Sequence, residues 1–273
     1  MTDILNIFQF QFMQNAIIVC LLASILCGVI GVIVVVKRMV IVAGGVAHGA
    51  YGGLGLSVLL GISPQIGILG FALILALIMA AITAENNGRA DTVIGVLWAS
   101  GMAVGIIFID MTKGYTADLM SFLFGSLLIV SKEDIVLTAF FSLLSVILFM
   151  RFRRHILAFI YDSDFAKIRG VNVTAIHYVV TVMISLSTVV LIRVAGLILV
   201  IALLTIPAHI AERYSRSLGG MMIISGILCA LFSMTGLVFA WKYDITAGAG
   251  IVLTAACAYG IVQLLPRRKK IET

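Results

Sequence analysis

The sequence predicts an all-α, polytopic membrane protein of about nine transmembrane helices. Three observations carry this. Apolar residues make up 62% of the 273 residues and charged residues only 11%, where soluble domains carry about 25% charged residues; the mean hydropathy is +1.22. Several windows exceed the roughly 20 apolar residues that a helix needs to cross a bilayer. The third is the placement of Lys and Arg. With the spans given below, fourteen of the eighteen fall on one side, and only Lys113, Lys132, Arg193 and Lys242 on the other. Basic residues collect in cytoplasmic loops, so the C-terminal "PRRKK" is read as cytoplasmic and, after nine crossings, the N-terminus as outside. The longest stretch that looks aqueous is about twenty residues, so 1–273 reads as a single transmembrane domain. The basic excess lies in loops and needs no nucleic-acid partner; membrane lipid accounts for it.

The first span, 11–36, follows "MTDILNIFQFQFMQ", which lacks the basic start of a cleaved signal and is expected to be retained. "KR" (Lys37, Arg38) separates it from 39–61. "GISP" closes that span, and Pro64 suits the start of the third, 65–84. The polar turn "ENNGRAD" leads to 92–109, and "DMTKGYTAD" follows. "DLMSFLFGSLLIVS", 118–131, is apolar but short, and crossing would spoil the charge asymmetry. It is expected to be a short re-entrant helix on the outer side, tolerated where protein or a water-filled cavity covers it. A different reading of this segment makes the count eight or ten. The fifth span, 135–150, ends at "RFRRH"; 172–191 and 195–211 follow, the latter ending at "ERYSRS"; 219–240 and 246–265 complete the set. Pro207 falls inside the seventh span and is expected to kink it, a place where gating motion can concentrate. Cys20, Cys27, Cys229 and Cys257 all lie in spans without CxxC spacing. They are expected to pack as small apolar residues, with no disulfide and no thiolate metal site.

"AGGVAHGAYGGLG", 43–55, is the most informative stretch: six of its thirteen residues are glycine, and one is histidine. Gly44, His48 and Gly52 are spaced to share one helix face, with Gly45, Gly49 and Gly53 on a neighbouring stripe. Small residues at this spacing let another backbone approach closely. A histidine in such a seam cannot snorkel to water. It either hydrogen-bonds structurally or lines a pathway, and intramembrane ionisable groups usually face a bundle interior or a cavity. Neutral imidazole is a good ligand for zinc and related metals, but one histidine is not a metal site. A homodimer about an axis near this seam supplies the second. Elsewhere, His155 reads as solvated, His177 as structural and His209 as a helix-end group. The outer acids Asp110, Asp118, Glu133, Asp134 and Asp244 read as loop-solvating rather than as a cation entrance.

The loop at 151–171, "RFRRHILAFIYDSDFAKIRGV", mixes charges of both signs with Phe159, Tyr161 and Phe165. Helical spacing puts Phe165, Ile168 and Arg169 on one side. The segment is either a basic stretch lying against headgroups or a short cytoplasmic helix that docks into a partner. No GxxxxGK[ST] occurs, so ATP-driven work must come from another subunit. No HExxH or GxSxG occurs either, and no pair of intramembrane acids, which speaks against an enzyme.

Four segments in order, "KRMVIVAGGVAHGAYGGLGLSVLLG", "DLMSFLFGSLLIVSKED", "YDSDFAKIRGVNV" and "RVAGLILVIALLTIPAHIAERYS", resemble the ABC-3 family of permeases of ABC importers for zinc, manganese and iron. The resemblance spans about residues 15–265. It implies a type II ABC importer-like fold in the cytoplasmic (inner) membrane of a bacterium or archaeon, and a homodimer with two copies of a cytoplasmic ATPase. It also implies an extracytoplasmic metal-binding protein that delivers the cargo. "YDSDFAKIRG" is then the coupling helix seated in the ATPase: Asp162, Phe165 as an apolar plug, Ala166 to allow close approach, and Gly170 to end the helix. The family often carries Asp four residues before the histidine, as DxxxH; here Gly44 stands in that place. His48 is therefore the metal ligand this resemblance leaves, with Gly44, Gly45, Gly49 and Gly52 as the pathway seam. Losing a hard carboxylate tilts the expected cargo to zinc, with manganese or iron next, and no tightly bound cofactor. The rival is an ion-coupled secondary transporter acting without an ATPase. It calls for ionisable residues inside spans, and these are few.

Overall fold

Inside a bilayer every backbone N–H and C=O must find a partner within the protein, and the described residues of this chain meet that demand with helices. The computed structural model describes residues 10–84, 90–112, 125, 127 and 130–265. In chain order they form α1 (Gln11–Val36), α2 (Val40–Gly49), α3 (Tyr51–Leu60), α4 (Pro64–Ala84), α5 (Ala90–Asp110) and α6 (Lys132–Tyr161). Then follow α7 (Ser163–Ile168), α8 (Val173–Ala195), α9 (Leu197–Tyr214), α10 (Leu218–Tyr243) and α11 (Ala247–Leu264). Among the described residues nine helical segments are long and apolar enough to cross a membrane, with α2 and α3 counted as one across Ala50. Eight of the nine agree with the expected spans to within a few residues.

The fifth span differs. It was expected to stop at 150, but α6 continues to Tyr161 through a kink at Phe152 (φ −109°, ψ 17°). "RFRRHILAFIY" has no Pro or Gly to stop a helix, and Arg and Leu are good helix formers. Its Ile156, Phe159 and Ile160 are buried against the chain's own core, which pulls the extension inward. Of the expected re-entrant segment, Gly125, Leu127, Val130 and Ser131 are described and the rest lies outside the described residues. Gly125 has φ 64°, and a Cβ there would overlap the backbone of Ala195 and Gly196. Leu127 is buried. This part of the segment therefore lies on the junction between α8 and α9.

Helix α1 is the centre of the bundle and packs on α10, α6 and α9; α8 packs on α4, α6 and α2, and α3 on α4 and α5. The α1 and α2–α3 spans each have 72% of their apolar window buried, against 22% for α5 and for α6 and 17% for α11. The inner pair is thus covered by the other helices, while α5, α6 and α11 present apolar faces outward. Caps fix the entries: Ser131, Asn172 and Ser217 each accept a backbone N–H of the helix that follows. Missing side chains fix the closest crossings. A Cβ on Gly55 would overlap the Gly105 carbonyl, and one on Gly105 would lie 2.5 Å from the Tyr51 carbonyl oxygen.

Gly105→Ala should therefore force α3 and α5 apart and cost about 1–3 kcal/mol, as overpacking does. Gly95→Ala lies in the same helix, where a Cβ meets nothing within 4 Å. It should be neutral or stabilising by up to about 1 kcal/mol. Thermal unfolding of the two variants in detergent, followed by size-exclusion chromatography, compares them directly.

Candidate functional site

His48 sits in the last turn of α2, in one of the two most buried spans. Its imidazole lies against the Trp98 indole of α5, ring centroids 4.1 Å apart and 19° from parallel. Trp98 Nε1 in turn donates to the Met102 sulfur at 3.3 Å. His48 Nδ1 is buried and has no hydrogen-bond partner. An unmet buried polar atom costs about 1–3 kcal/mol, and this nitrogen makes no structural tie to the described residues.

The glycines around it divide. A Cβ at Gly45 would meet Ile94 at 2.5 Å, at Gly49 would meet Leu75 at 2.7 Å, and at Gly52 would meet Phe71 at 2.7 Å and the Gly101 carbonyl at 2.8 Å. These three bring α4 and α5 of the same chain against α2–α3. Gly44 is different: it is buried, yet a Cβ there would meet nothing within 4 Å. The helix breaks at Ala50, so the stripe from Gly44 through His48 does not run straight on to Gly52. Free space thus lies one turn from the unpartnered imidazole. Among the described residues no group of three or more His, Cys, Asp or Glu side chains is arranged to hold a metal. Sequence reasoning missed Trp98; a tryptophan near the middle of a span, away from the interfacial belts where it is usual, is the signal that was available.

At the end of the bundle where most described Lys and Arg side chains lie, Asp162 Oδ1 accepts the Phe165 N–H at 2.8 Å and caps α7. Phe165 is 51% and Ile168 84% exposed, and the Arg169 guanidinium lies 5.1 Å from the Phe165 ring centroid. Gly170, at φ 79°, closes α7. Its N–H reaches the Lys167 carbonyl and that of Val171 reaches the Ala166 carbonyl, each at 3.0 Å, the pattern that needs a left-handed residue after a helix. Ala166 departs from the expectation. It is 1% exposed and packs on the chain's own core, about 100° around the helix from the exposed Phe165. In this chain it seats α7 on the bundle.

The other candidates fall in separate places. Pro207 is buried within α9, which runs through it to Tyr214; lacking an N–H, it leaves the Leu203 carbonyl without its helical donor. His177 Nε2 is 2.8 Å from Thr83 Oγ1, a structural tie between α8 and α4. His209 is half exposed, 3.7 Å from Glu212. Cys20, Cys27 and Cys229 are buried free thiols and Cys257 is exposed. Asp134 does not solvate a loop: it is buried, its Oδ1 lies 2.9 Å from Arg193 of α8, and Ser131 Oγ donates to its Oδ2 at 2.6 Å. Beside it Gln65 Nε2 donates to Glu133 at 2.8 Å.

Comparison with known proteins places these features. The model of the ABC 3 transport family matches residues 9–265. An uncharacterised membrane protein of Synechocystis is 42% identical over 260 residues, 95% of this chain and 92% of that one. The manganese import system permease protein ScaB of Streptococcus parasanguinis is 32% identical over 263 residues, 96% of this chain and 94% of its own. Among solved structures, PsaBC from Streptococcus pneumoniae in complex with Fab superposes with a TM-score of 0.86 at 31% identity. The match covers 99% of this chain and 98% of that one.

The Asp134–Arg193 pair generates a prediction of its own. Asp134→Ala leaves a partly buried guanidinium unpaired and should cost about 3 kcal/mol or more. Adding Arg193→Met should recover much of that loss, so a double-mutant cycle on thermal stability should give a coupling of about 1 kcal/mol or more.

Proposed function

This chain belongs to the ABC 3 transport family, and on that premise we propose that it is the permease of an ATP-driven importer of divalent transition-metal ions. The observation that carries the reading within the molecule is the unpartnered His48 Nδ1 beside the free space at Gly44. One imidazole alone does not hold a metal. A homodimer, with a second His48 beside the same path, gives a weak and transient site suited to an ion that must be released. The relatives named for manganese support a divalent first-row cation. Zinc stands first and manganese next, because position 44 carries no carboxylate and nitrogen ligands favour zinc.

Two copies of a cytoplasmic ATPase supply the energy, each seated on α7 through the exposed Phe165 and Ile168, with Asp162 and Gly170 fixing the helix ends. An extracytoplasmic metal-binding protein delivers the cargo at the end of the bundle that carries Asp134, Arg193 and Asp244. The protein lies in the cytoplasmic membrane of a bacterium or archaeon with its C-terminus inside. The permease makes and breaks no covalent bond. Cycles of ATP binding and hydrolysis rock the two protomers, opening the path to one side and then the other; Pro207 in α9 is a point at which that motion can bend a helix. A secondary transporter acting alone is disfavoured, since the one carboxylate the described spans hold buried is already paired with Arg193.

Cellular metal content, measured by elemental mass spectrometry in metal-limited cells lacking the gene or carrying it at matched expression, tests this reading. Wild type should raise zinc or manganese, and His48→Ala should lose most of that gain. A wild type that changes no metal removes the proposal. Gly44→Asp fits the free space and adds a hard oxygen ligand one turn from His48, so it should raise manganese uptake relative to zinc several-fold.

A further inference from the structure

We propose that Lys37 is a positioning residue that carries the movement of α7 to the α1–α2 turn, and through it to the helix that holds His48. The inference rests on the importer reading above, because it needs a partner ATPase to move α7.

Lys37 caps the C-terminus of α1, three residues before α2 begins. Its side chain does not run out to water, as a lysine at a membrane edge ordinarily does. It turns inward across the bundle. The Nζ donates to the Phe159 carbonyl at 3.0 Å and to Ser163 Oγ at 3.4 Å, and lies 4.0 Å from the Phe159 ring centroid. Phe159 belongs to the last turn of α6 and Ser163 is the first residue of α7. Ser163 Oγ also donates to the same Phe159 carbonyl at 3.0 Å. One ammonium thus joins the end of α1, the end of α6 and the start of α7.

The arrangement is costly for a mere cap. Lys37 is half-buried, and burial pulls its ammonium below its ordinary value. The ion pairs among the described residues are Arg193 with Asp134 and His209 with Glu212, so no carboxylate there compensates Lys37. Its charge is met by the carbonyl-rich C-terminal ends of α1 and α6, which favour a cation, and by the face of an aromatic ring.

The placement suits transmission. α7 is six residues long and packs on α6 and α8. Lys37 adds a link from it to the α1–α2 turn. That turn is tied by backbone hydrogen bonds, the Arg38 N–H to the Val35 carbonyl at 3.1 Å and the Met39 N–H to the Val34 carbonyl at 2.8 Å, with Arg38 at φ 56°, a conformation that non-glycine residues adopt rarely. A displacement of α7 passed to Lys37 is therefore not absorbed at the turn but reaches α2. The Phe159 ring also lies edge-on to His177, 5.9 Å away. Through His177 and Thr83 it meets the end of α4, which flanks α3 from the other side.

The test uses the complex of permease and ATPase in proteoliposomes, with external Zn²⁺ and Mn²⁺ as separate probes. ATP hydrolysis and metal uptake are measured together. Lys37→Met should keep the ATPase bound and hydrolysis within about twofold of wild type, while uptake per ATP falls about tenfold or more. Lys37→Arg, which keeps charge, reach and ring contact, should restore most of it. Wild-type uptake per ATP in Lys37→Met overturns the proposal and leaves Lys37 as a helix cap. Should that variant fail to assemble, Lys37→Gln decides instead: a several-fold fall in uptake per ATP supports the proposal and an unchanged ratio overturns it. A wild-type chain that retains no ATPase, or takes up neither ion when ATP is supplied, removes the importer reading and this inference with it.

Discussion

The arrangement around His48 depends on backbones that touch. Gly55 and Gly105 let α3 and α5 cross without side chains between them, Gly49 and Gly52 lie likewise against the backbone of Gly101, and Gly45 and Gly49 leave room for the Ile94 and Leu75 side chains. In lipid there is little hydrophobic gain from bringing two apolar helices together, so close packing of this kind supplies much of the association. It also fixes how far Trp98 stands from His48. A looser crossing would let the indole slide away, and the imidazole would lose the flat surface that orients it.

Polar groups follow a second economy. Most buried hydroxyls satisfy themselves within their own helix, as Ser24, Thr138, Thr188 and Thr205 do by donating to the carbonyl one turn back. Fewer groups reach across helices, among them Asp134 to Arg193 and Gln65 to Glu133 near one end, and His177 to Thr83, Lys37 to Phe159 and Arg213 to Val262 near the other. Each of these joins elements far apart in sequence. Away from the ends, Ser142 Oγ also donates to the Leu22 carbonyl of α1 at 2.9 Å, while the His48 imidazole and the hydroxyls of Thr181, Ser185, Ser187 and Ser225 are buried without a partner among the described residues.

Most of the fold could be read from the sequence, because hydropathy and the distribution of Lys and Arg report directly on what lipid tolerates. Eight spans needed no more than that. The helical run from 151 to 161 was missed because its charges look like a loop, and only the burial of Ile156, Phe159 and Ile160 shows why it stays helical. The candidate site was half legible. His48 stands out in any reading of 43–55, and so do the ends of α7. That Trp98 would lie on His48, or that Gly44 alone among the seam glycines would face free space, depends on how α5 and α4 pack. A single sequence does not encode such distances in any local pattern. Asp134 was read as loop-solvating because its partner, Arg193, lies at the far end of another helix.

Helix α6 is thirty residues long, about 45 Å at the usual rise. Its first turn carries Asp134, bound to Arg193, and its last turn carries Phe159, under the Lys37 ammonium. The helix is thus held at both rims of the bundle, with its kink at Phe152 between the two contacts and close to the second. A change in the seating of either end therefore meets that kink before it reaches the other.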